Sequence, residues 1–175
     1  MGMVDTGAFK MISIRPGTVE DAPEAIDLLR RSITHLCQLD HENDDQKLAS
    51  WLFNKTEKSW ITWVTKPELI VLVAERESRL VGISAMSHYG FILLNYVDIG
   101  AQFMGIGKAM MERLEGKAAL LGIKTCRLNS TRAAQRFYTD RGYVPARLGV
   151  YGELTMEKAI QPKKARIWAS LEADE

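Results

Sequence analysis

Cysteine is scarce in this chain. Cys37 and Cys126 are the only two in 175 residues. Two are too few for a disulfide framework or a structural zinc site, and they fit a reducing compartment. Long apolar runs are also missing. Leu69–Ala74 is all apolar, but a membrane span needs roughly 18 such residues. Met1–Lys10 holds no stretch of signal-peptide character. Nor is there an excess of charge of one sign: 23 Lys and Arg face 22 Asp and Glu, for a net charge of +1. A general nucleic-acid binder would show a basic excess. Internal repeats and low-complexity segments are absent too. These absences point to a cytoplasmic protein without a membrane or nucleic-acid partner. What is present is ordinary: 46% hydrophobic and 26% charged residues, the composition of a single globular domain with a proper core.

The pattern along the chain predicts alternating strands and helices. Residues 1–10 read as a lead-in, 11–160 as the domain and 161–175 as a helical or frayed tail. Met11–Arg15 reads as a first strand, stopped by Pro16-Gly17. Thr18-Val-Glu-Asp21 has the form of a capping box. Val19, Ala22, Ile26, Leu29, Ile33 and Leu36 then recur at helical steps. A second helix is expected from about Gln46 to Phe53. Leu69–Ala74, Leu80–Ser87 and Phe91–Val97 read as an antiparallel meander, the first buried on both faces. After Gly100 the chain turns through glycines into a helix carrying Met111, Leu114, Ala118 and Leu121, with Gly122 at its stop. Thr125–Ser130 reads as a strand, Ala133–Arg141 as a short helix, and Tyr143–Val150 and Gly152–Ala159 as two last strands. A strand–turn–helix–strand unit makes its two strands parallel.

The glycine turn has two readings. Backbone N–H groups at a helix start lack intrahelical partners and face an anion favourably. Glycine lets a phosphate approach, and Lys108 adds charge, so Gln102-Phe-Met-Gly105-Ile-Gly107-Lys108 can cradle a pyrophosphate. The other reading is a connection that is merely tight, and spacing alone does not choose. The ATP-binding loop fails, because Gln102 stands at its first glycine and Ala109 follows Lys108. The dinucleotide fingerprint fails at Met110.

Asn129-Ser-Thr-Arg-Ala-Ala-Gln-Arg-Phe-Tyr138 follows the second strand of that unit. The helix therefore starts at the strand's carboxyl end, beside the glycine turn, where open sheets bind ligands. Tyr138 stands within reach of a ligand there. Its phenol, with a pKa of about 10 against about 8.5 for a thiol, can hydrogen-bond to or protonate a departing thiolate. Packing under the sheet is the competing role, and Phe137 is assigned to it. Both cysteines read as small core residues.

Together these segments resemble the Gcn5-related N-acetyltransferase family. Its acetyl-CoA motif, Gln/Arg-x-x-Gly-x-Gly/Ala, is matched by Gln102, Gly105 and Gly107. Its second signature is matched by Ser130-Thr131, Ala134, Phe137, Tyr138, Gly142 and Tyr143. Val73-Ala-Glu75, Leu80-Val-Gly82 and Leu154–Lys158 resemble its other strands. The resemblance implies an α/β acyl-CoA acyltransferase fold: a mixed, mostly antiparallel sheet, a parallel splayed strand pair, and helices on both faces. It implies an N-acetyltransferase that moves the acetyl group of acetyl-CoA directly to a primary amine of a small molecule or protein. A catalytically idle acyl-CoA-binding or regulatory module of the same fold is the alternative. The fold is also compatible with a homodimer.

By position, the resemblance implies that Val97, Gln102, Phe103, Met104, Gly105, Ile106, Gly107, Lys108, Thr131 and Tyr138 contact the cofactor. Tyr138 is the implied general acid and Val97 N–H the implied carbonyl donor. No metal is implied. The resemblance places the acceptor side near the first two helices and their connection, the His88-Tyr89 turn and the last strands, with His35, His88, Tyr89 and Asn95 as candidates. Asp40, Glu42, Trp51, Trp60 and Trp63 are further acceptor-side candidates with blander readings; His41 is expected to be solvated. Two positions depart from the family pattern: Ile99 replaces a proline and Phe103 a glycine. The splayed strand offers Asn95, Tyr96 and Asp98 where relatives often carry a glutamate base.

Overall fold

The computed structural model describes residues 11–149 and 153–161. The 1–10 lead-in and, apart from Gln161, the 161–175 tail lie outside the described residues. Seven strands form one sheet: β1 (Ser13–Pro16), β2 (Leu69–Arg76), β3 (Arg79–Ser87), β4 (Phe91–Val97), β5 (Thr125–Ser130), β6 (Val144–Leu148) and β7 (Leu154–Ala159). Their spatial order is β1-β2-β3-β4-β5-β7-β6. All neighbours are antiparallel except β4 and β5, which are parallel. This is the expected meander followed by the expected parallel unit.

Among the described residues, six α-helices cover the sheet: α1 (Ala22–Leu36), α2 (Gln38–His41), α3 (Asp45–Leu52), α4 (Glu57–Thr65), α5 (Ile106–Leu120) and α6 (Gln135–Thr139). Short 3-10 turns at Val19–Asp21, Ile99–Ala101 and Arg132–Ala134 lead into or between them. Thr18 and Asp21 behave as the capping spacing predicts. The Asp21 carboxylate accepts from the Thr18 N–H at 2.8 Å and is also clamped by Arg15.

Side chains alternate across the pleat. Val71, Val73, Ile83 and Ala85 therefore face α1 and α4, and pack with Leu28, Leu29, Ile33 and Trp60. Leu72, Met86, Leu128 and Met156 face the other way, against Met111 and Leu114 of α5 and against Tyr138 and Tyr143. Trp60 is fully buried and its indole N–H donates to Thr18 O at 2.8 Å. Trp51 and Trp63 border the same cluster, so these three tryptophans pack helices onto the sheet.

The α5 helix lies close on the sheet at Gly82. A Cβ there would meet Met110 Cε at 2.7 Å and Ile106 Cγ2 at 2.9 Å. This contact seats the N-terminal turn of α5 over β3, beside the carboxyl end of β4. Among the described residues, no helix is long and apolar enough to cross a membrane.

Candidate active site

The site begins where the sheet is incomplete. β4 and β5 pair only at Phe91–Arg127 and Ile92–Leu128. Beyond Ile92 the two strands part, while the other edge of β4 stays paired to β3 as far as Val97–Gly82. Asp98 N–H donates to Val81 O on β3 at 2.9 Å. N–H directions alternate along a strand, so Val97 N–H and Asn95 N–H face the gap, away from β3. The gap opens into a cavity of about 590 Å³.

One wall of the cavity is the glycine turn, with Gln102, Phe103, Gly105, Ile106, Gly107 and Lys108. Gly105 adopts φ +78°, and a Cβ there would meet no atom within 4 Å. Backbone conformation therefore selects glycine at 105, not a protein neighbour. Gly107 is selected by proximity: its Cβ would lie 3.3 Å from Phe137 and 3.5 Å from Val97. The first intrahelical bond of α5 runs from Ala109 N to Gly105 O, which leaves the N–H groups of 106–108 for an external acceptor. Phe103 holds φ +61° and is 99% exposed. It holds a left-handed turn at the position where the family pattern has a glycine. Its side chain points into solvent, not onto the loop.

Tyr138 forms the opposite wall, with Thr131, Ala134, Phe137 and Arg141. It is 7% exposed and sits between Phe137 and Tyr143, with ring centroids 5.1 and 5.8 Å away in edge-on contact. Burial pushes its phenol up to about 12, opposed by a hydrogen bond from Asn95 and by the Arg141 charge. Thr131 Oγ1 accepts from Ala134 N–H at 3.2 Å and so caps the turn that begins this wall. Arg141 stacks its guanidinium 3.7 Å above the Phe137 ring and donates to Phe137 O at 2.8 Å. Its buried Nε has no partner.

The floor is β4 itself, and the far side is α1. Asn95 and Val97 face α5 and α6, while Leu94 and Tyr96 pack in the α1 cluster. Ser32 and Leu36 of α1 and Cys37, which follows it, line the cavity. Among the described residues, Asn95 Oδ1 is buried without a hydrogen-bond partner. Burial raises the Tyr96 phenol far above its ordinary value and the Cys37 thiol to about 12. Asp40 ties α2 to the opposite wall: its carboxylate accepts from Arg132 N–H at 2.6 Å and Ala133 N–H at 3.4 Å.

Several expected candidates lie elsewhere. His88 and Tyr89 are exposed at the β3–β4 turn. That turn joins the amino end of β4, opposite the end where the cavity opens. His35 is exposed on α1, outside the lining. Met104 lies outside it too, with its sulfur accepting from Arg76 Nη1 at 2.9 Å. His41 is 2% exposed rather than solvated. Its Nε2 faces Thr34 O at 3.1 Å and its Nδ1 accepts from Asn43 N–H at 3.2 Å. Asp98 is gripped by Arg31 at 2.6 Å and by Gly100 N–H at 3.1 Å. Among the cavity residues that sequence reasoning missed are Ser32, Leu36, Cys37 and Arg141. Only Arg141 carried a local signal, four residues from Phe137 on one helix face.

Comparisons with known proteins agree with this architecture. Residues 38–151 match the acetyltransferase (GNAT) domain family, more than half of the chain. A comparison with curated proteins found no match. Among solved structures, the PaiA N-acetyltransferase of Thermoplasma acidophilum in complex with coenzyme A is similar at 20% identity and TM-score 0.75, over 85% of this chain and 99% of that one. The ribosomal-protein-S18-alanine N-acetyltransferase of Escherichia coli is similar at 17% identity and TM-score 0.61, over 90% and 99%. An aminoglycoside 6'-N-acetyltransferase complexed with coenzyme A is similar at 18% identity and TM-score 0.64, over 87% and 99%. The mixed sheet with one parallel pair, the parting of that pair and the matched residues have one reading: the chain belongs to the GNAT acetyltransferase family.

Proposed function

We propose that this chain is an acetyl-CoA-dependent N-acetyltransferase that carries acetyl groups to a primary amine by direct transfer. The observation that carries the reading is the parted β4–β5 pair, whose gap runs from the free N–H groups of α5 to the Tyr138 phenol. The fit to the donor is chemical. Unpaired N–H groups and Lys108 suit a pyrophosphate, and the unladdered edge of β4 suits the amide-bearing pantetheine arm. Val97, Gln102, Phe103, Gly105, Ile106, Gly107, Lys108 and Thr131 would hold it, with Met104 at the margin. Bound acetyl-CoA supplies an activated acyl thioester.

The chain's own groups orient, polarise and protonate. Val97 N–H, free of β3, is the donor available to a carbonyl oxygen in the gap. Tyr138 Oη keeps its proton through neutral pH because burial disfavours its phenolate. That proton serves a departing thiolate, whose phenolate partner then lies beside Arg141 and Asn95. The glycine turn and the Tyr138 wall, the latter tied to α2 by Asp40, fix both reactants in one geometry, where effective molarities can reach about 10⁵ M or more.

The test is calorimetric titration with acetyl-CoA, with ATP as control, followed by thiol release in the presence of amines. Micromolar binding of acetyl-CoA alone, about −8 kcal/mol, with amine-dependent thiol release is the expected result. Binding without release for any amine would favour an idle acyl-CoA module.

A further inference from the structure

Every reaction at this site needs an acceptor nitrogen that carries a lone pair. Among the described residues, the cavity lining contains no carboxylate and no imidazole. Its charged side chains are Lys108 and Arg141, both cationic. The nearby anions are committed elsewhere. Asp98 is held by Arg31, Asp40 by the N–H groups of Arg132 and Ala133, and Glu42 by Lys47 at 2.7 Å. Both ring nitrogens of His41 are engaged by backbone groups. Cys37 after α1, Tyr96 from β4 and Tyr138 from α6 are all held protonated by burial. The acceptor side itself is Ser32, Leu36, Cys37, Leu94 and Tyr96, neutral and largely apolar. One buried acceptor atom of the same cavity, Asn95 Oδ1 on the Tyr138 face of β4, has no hydrogen-bond partner among the described residues.

We propose that the acceptor is a weakly basic amine on an uncharged, apolar body, which enters already neutral and donates an N–H to Asn95 Oδ1. This rests on the N-acetyltransferase reading. A second ammonium group would meet Arg141 and no anion, with its own hydration lost. Basicity matters as strongly. An α-amino group has a pKa of about 7.7–8.0 and a lysine-type amine about 10.4, so near pH 7 the neutral fraction differs by a few hundredfold. With no base among the described lining residues, that ratio passes directly into kcat/KM. In the transfer, the acceptor nitrogen forms the new C–N bond as the C–S bond breaks. The sulfur takes the Tyr138 proton, one N–H proton of the acceptor leaves to water, and Tyr138 regains a proton from water. An apolar α-amino compound and an arylamine share this chemistry.

The experiment measures thiol release at pH 7 from acetyl-CoA with phenylalanine amide, p-toluidine, phenethylamine and spermidine. Phenethylamine carries the same ring as phenylalanine amide on a more basic nitrogen. The expected kcat/KM for phenylalanine amide or p-toluidine exceeds that for phenethylamine about a hundredfold, with spermidine lower still. Which of the first two leads identifies the source. The phenylalanine amide advantage should shrink as pH rises toward 10, each profile bending at its own acceptor's pKa. Leu36→Glu, which places a carboxylate on the acceptor side, should raise spermidine relative to phenylalanine amide at least tenfold. Retained acetyl-CoA binding shows that this variant is folded. The proposal is overturned by a preference of the parent protein for spermidine. It is equally overturned by a pH limb that stays fixed when the acceptor changes, or by turnover of no weakly basic amine while acetyl-CoA binds. Failure of acetyl-CoA to bind would instead remove the N-acetyltransferase reading.

Discussion

Tyr138 is the residue on which the proposed chemistry turns, and its environment makes a directional claim. Tyr138→Phe removes one hydroxyl and keeps the aromatic stack with Phe137 and Tyr143. It should lower kcat at least tenfold while acetyl-CoA affinity stays within about twofold, an effect in the range of a single acid–base group. Calorimetry and steady-state rates on the same preparation check both halves. Phe103 makes a second claim. A left-handed backbone costs a non-glycine residue roughly 1–2 kcal/mol, and glycine adds back about 0.5–1 kcal/mol of unfolded-state entropy. With its side chain in solvent, Phe103→Gly loses no packing and should stabilise the fold by up to about 1 kcal/mol, read as an unchanged denaturant slope with a higher midpoint. These residues were legible in the sequence for a physical reason. Glycine pairs, an acid-bearing aromatic and a cap residue are local chemistry. Asn95 was found the same way, on the parted strand. Ser32, Leu36 and Cys37 were not, because they continue the apolar face of α1, and only tertiary packing decides which part of that face meets a cavity rather than core.

Elements differ in how openly their sequences declare them. Phe91–Val97 and Thr125–Ser130 coincide with their predicted limits at both ends, since turn residues bound them sharply. The α4 helix had no prediction. Its Trp60, Ile61, Thr62, Trp63, Val64 and Thr65 are β-branched or aromatic, poor helix formers on their own. Thr56 starts it by accepting from Ser59 N–H at 3.1 Å, and burial of Trp60 completes it. Tertiary burial overrides propensity there. Two element-level predictions follow from contacts already described. Gly82→Ala should force α5 off β3 and destabilise by about 1–3 kcal/mol, as overpacking does. Because the free N–H groups ride on that helix, acetyl-CoA affinity should fall with it, measurable by chemical denaturation and calorimetry together. Asp40→Ala removes the carboxylate joining α2 to the Arg132–Ala134 turn. It should cost about 1 kcal/mol, as loss of a cap does, and speed amide exchange at Arg132 and Ala133 first.

At the scale of the whole molecule, buried acids set the alkaline limit. Folding raises the Cys126 thiol to about 11, and Cys37 and Tyr138 to about 12, burial being the first cause of each. The unfolded chain releases these protons near pH 8.5 for a thiol and 10 for a phenol. Stability tied to these groups is therefore complete below about pH 8.5 and drains away between there and about pH 12, since the unfolded state then binds fewer protons than the folded one. The thermal midpoint should fall through that window. Both thiols should resist a disulfide-exchange reagent at pH 8 until the protein is unfolded, and rapid native labelling of either would contradict their burial.

The sheet also has two kinds of edge, and they carry different risks. β6 is an outer edge with every residue exposed, guarded by Pro145 and Arg147, the residue types that discourage another chain from adding a strand. The gap beyond Ile92 is an inner edge. It too presents unpaired backbone, yet α1, α5 and α6 roof it on both faces. An aggregating strand has no straight approach to it, while a slim, flexible ligand does. The protein can thus keep hydrogen-bonding capacity in reserve without the stickiness of an open border. Any variant that lifts one of those helices should be judged for solubility as well as for rate.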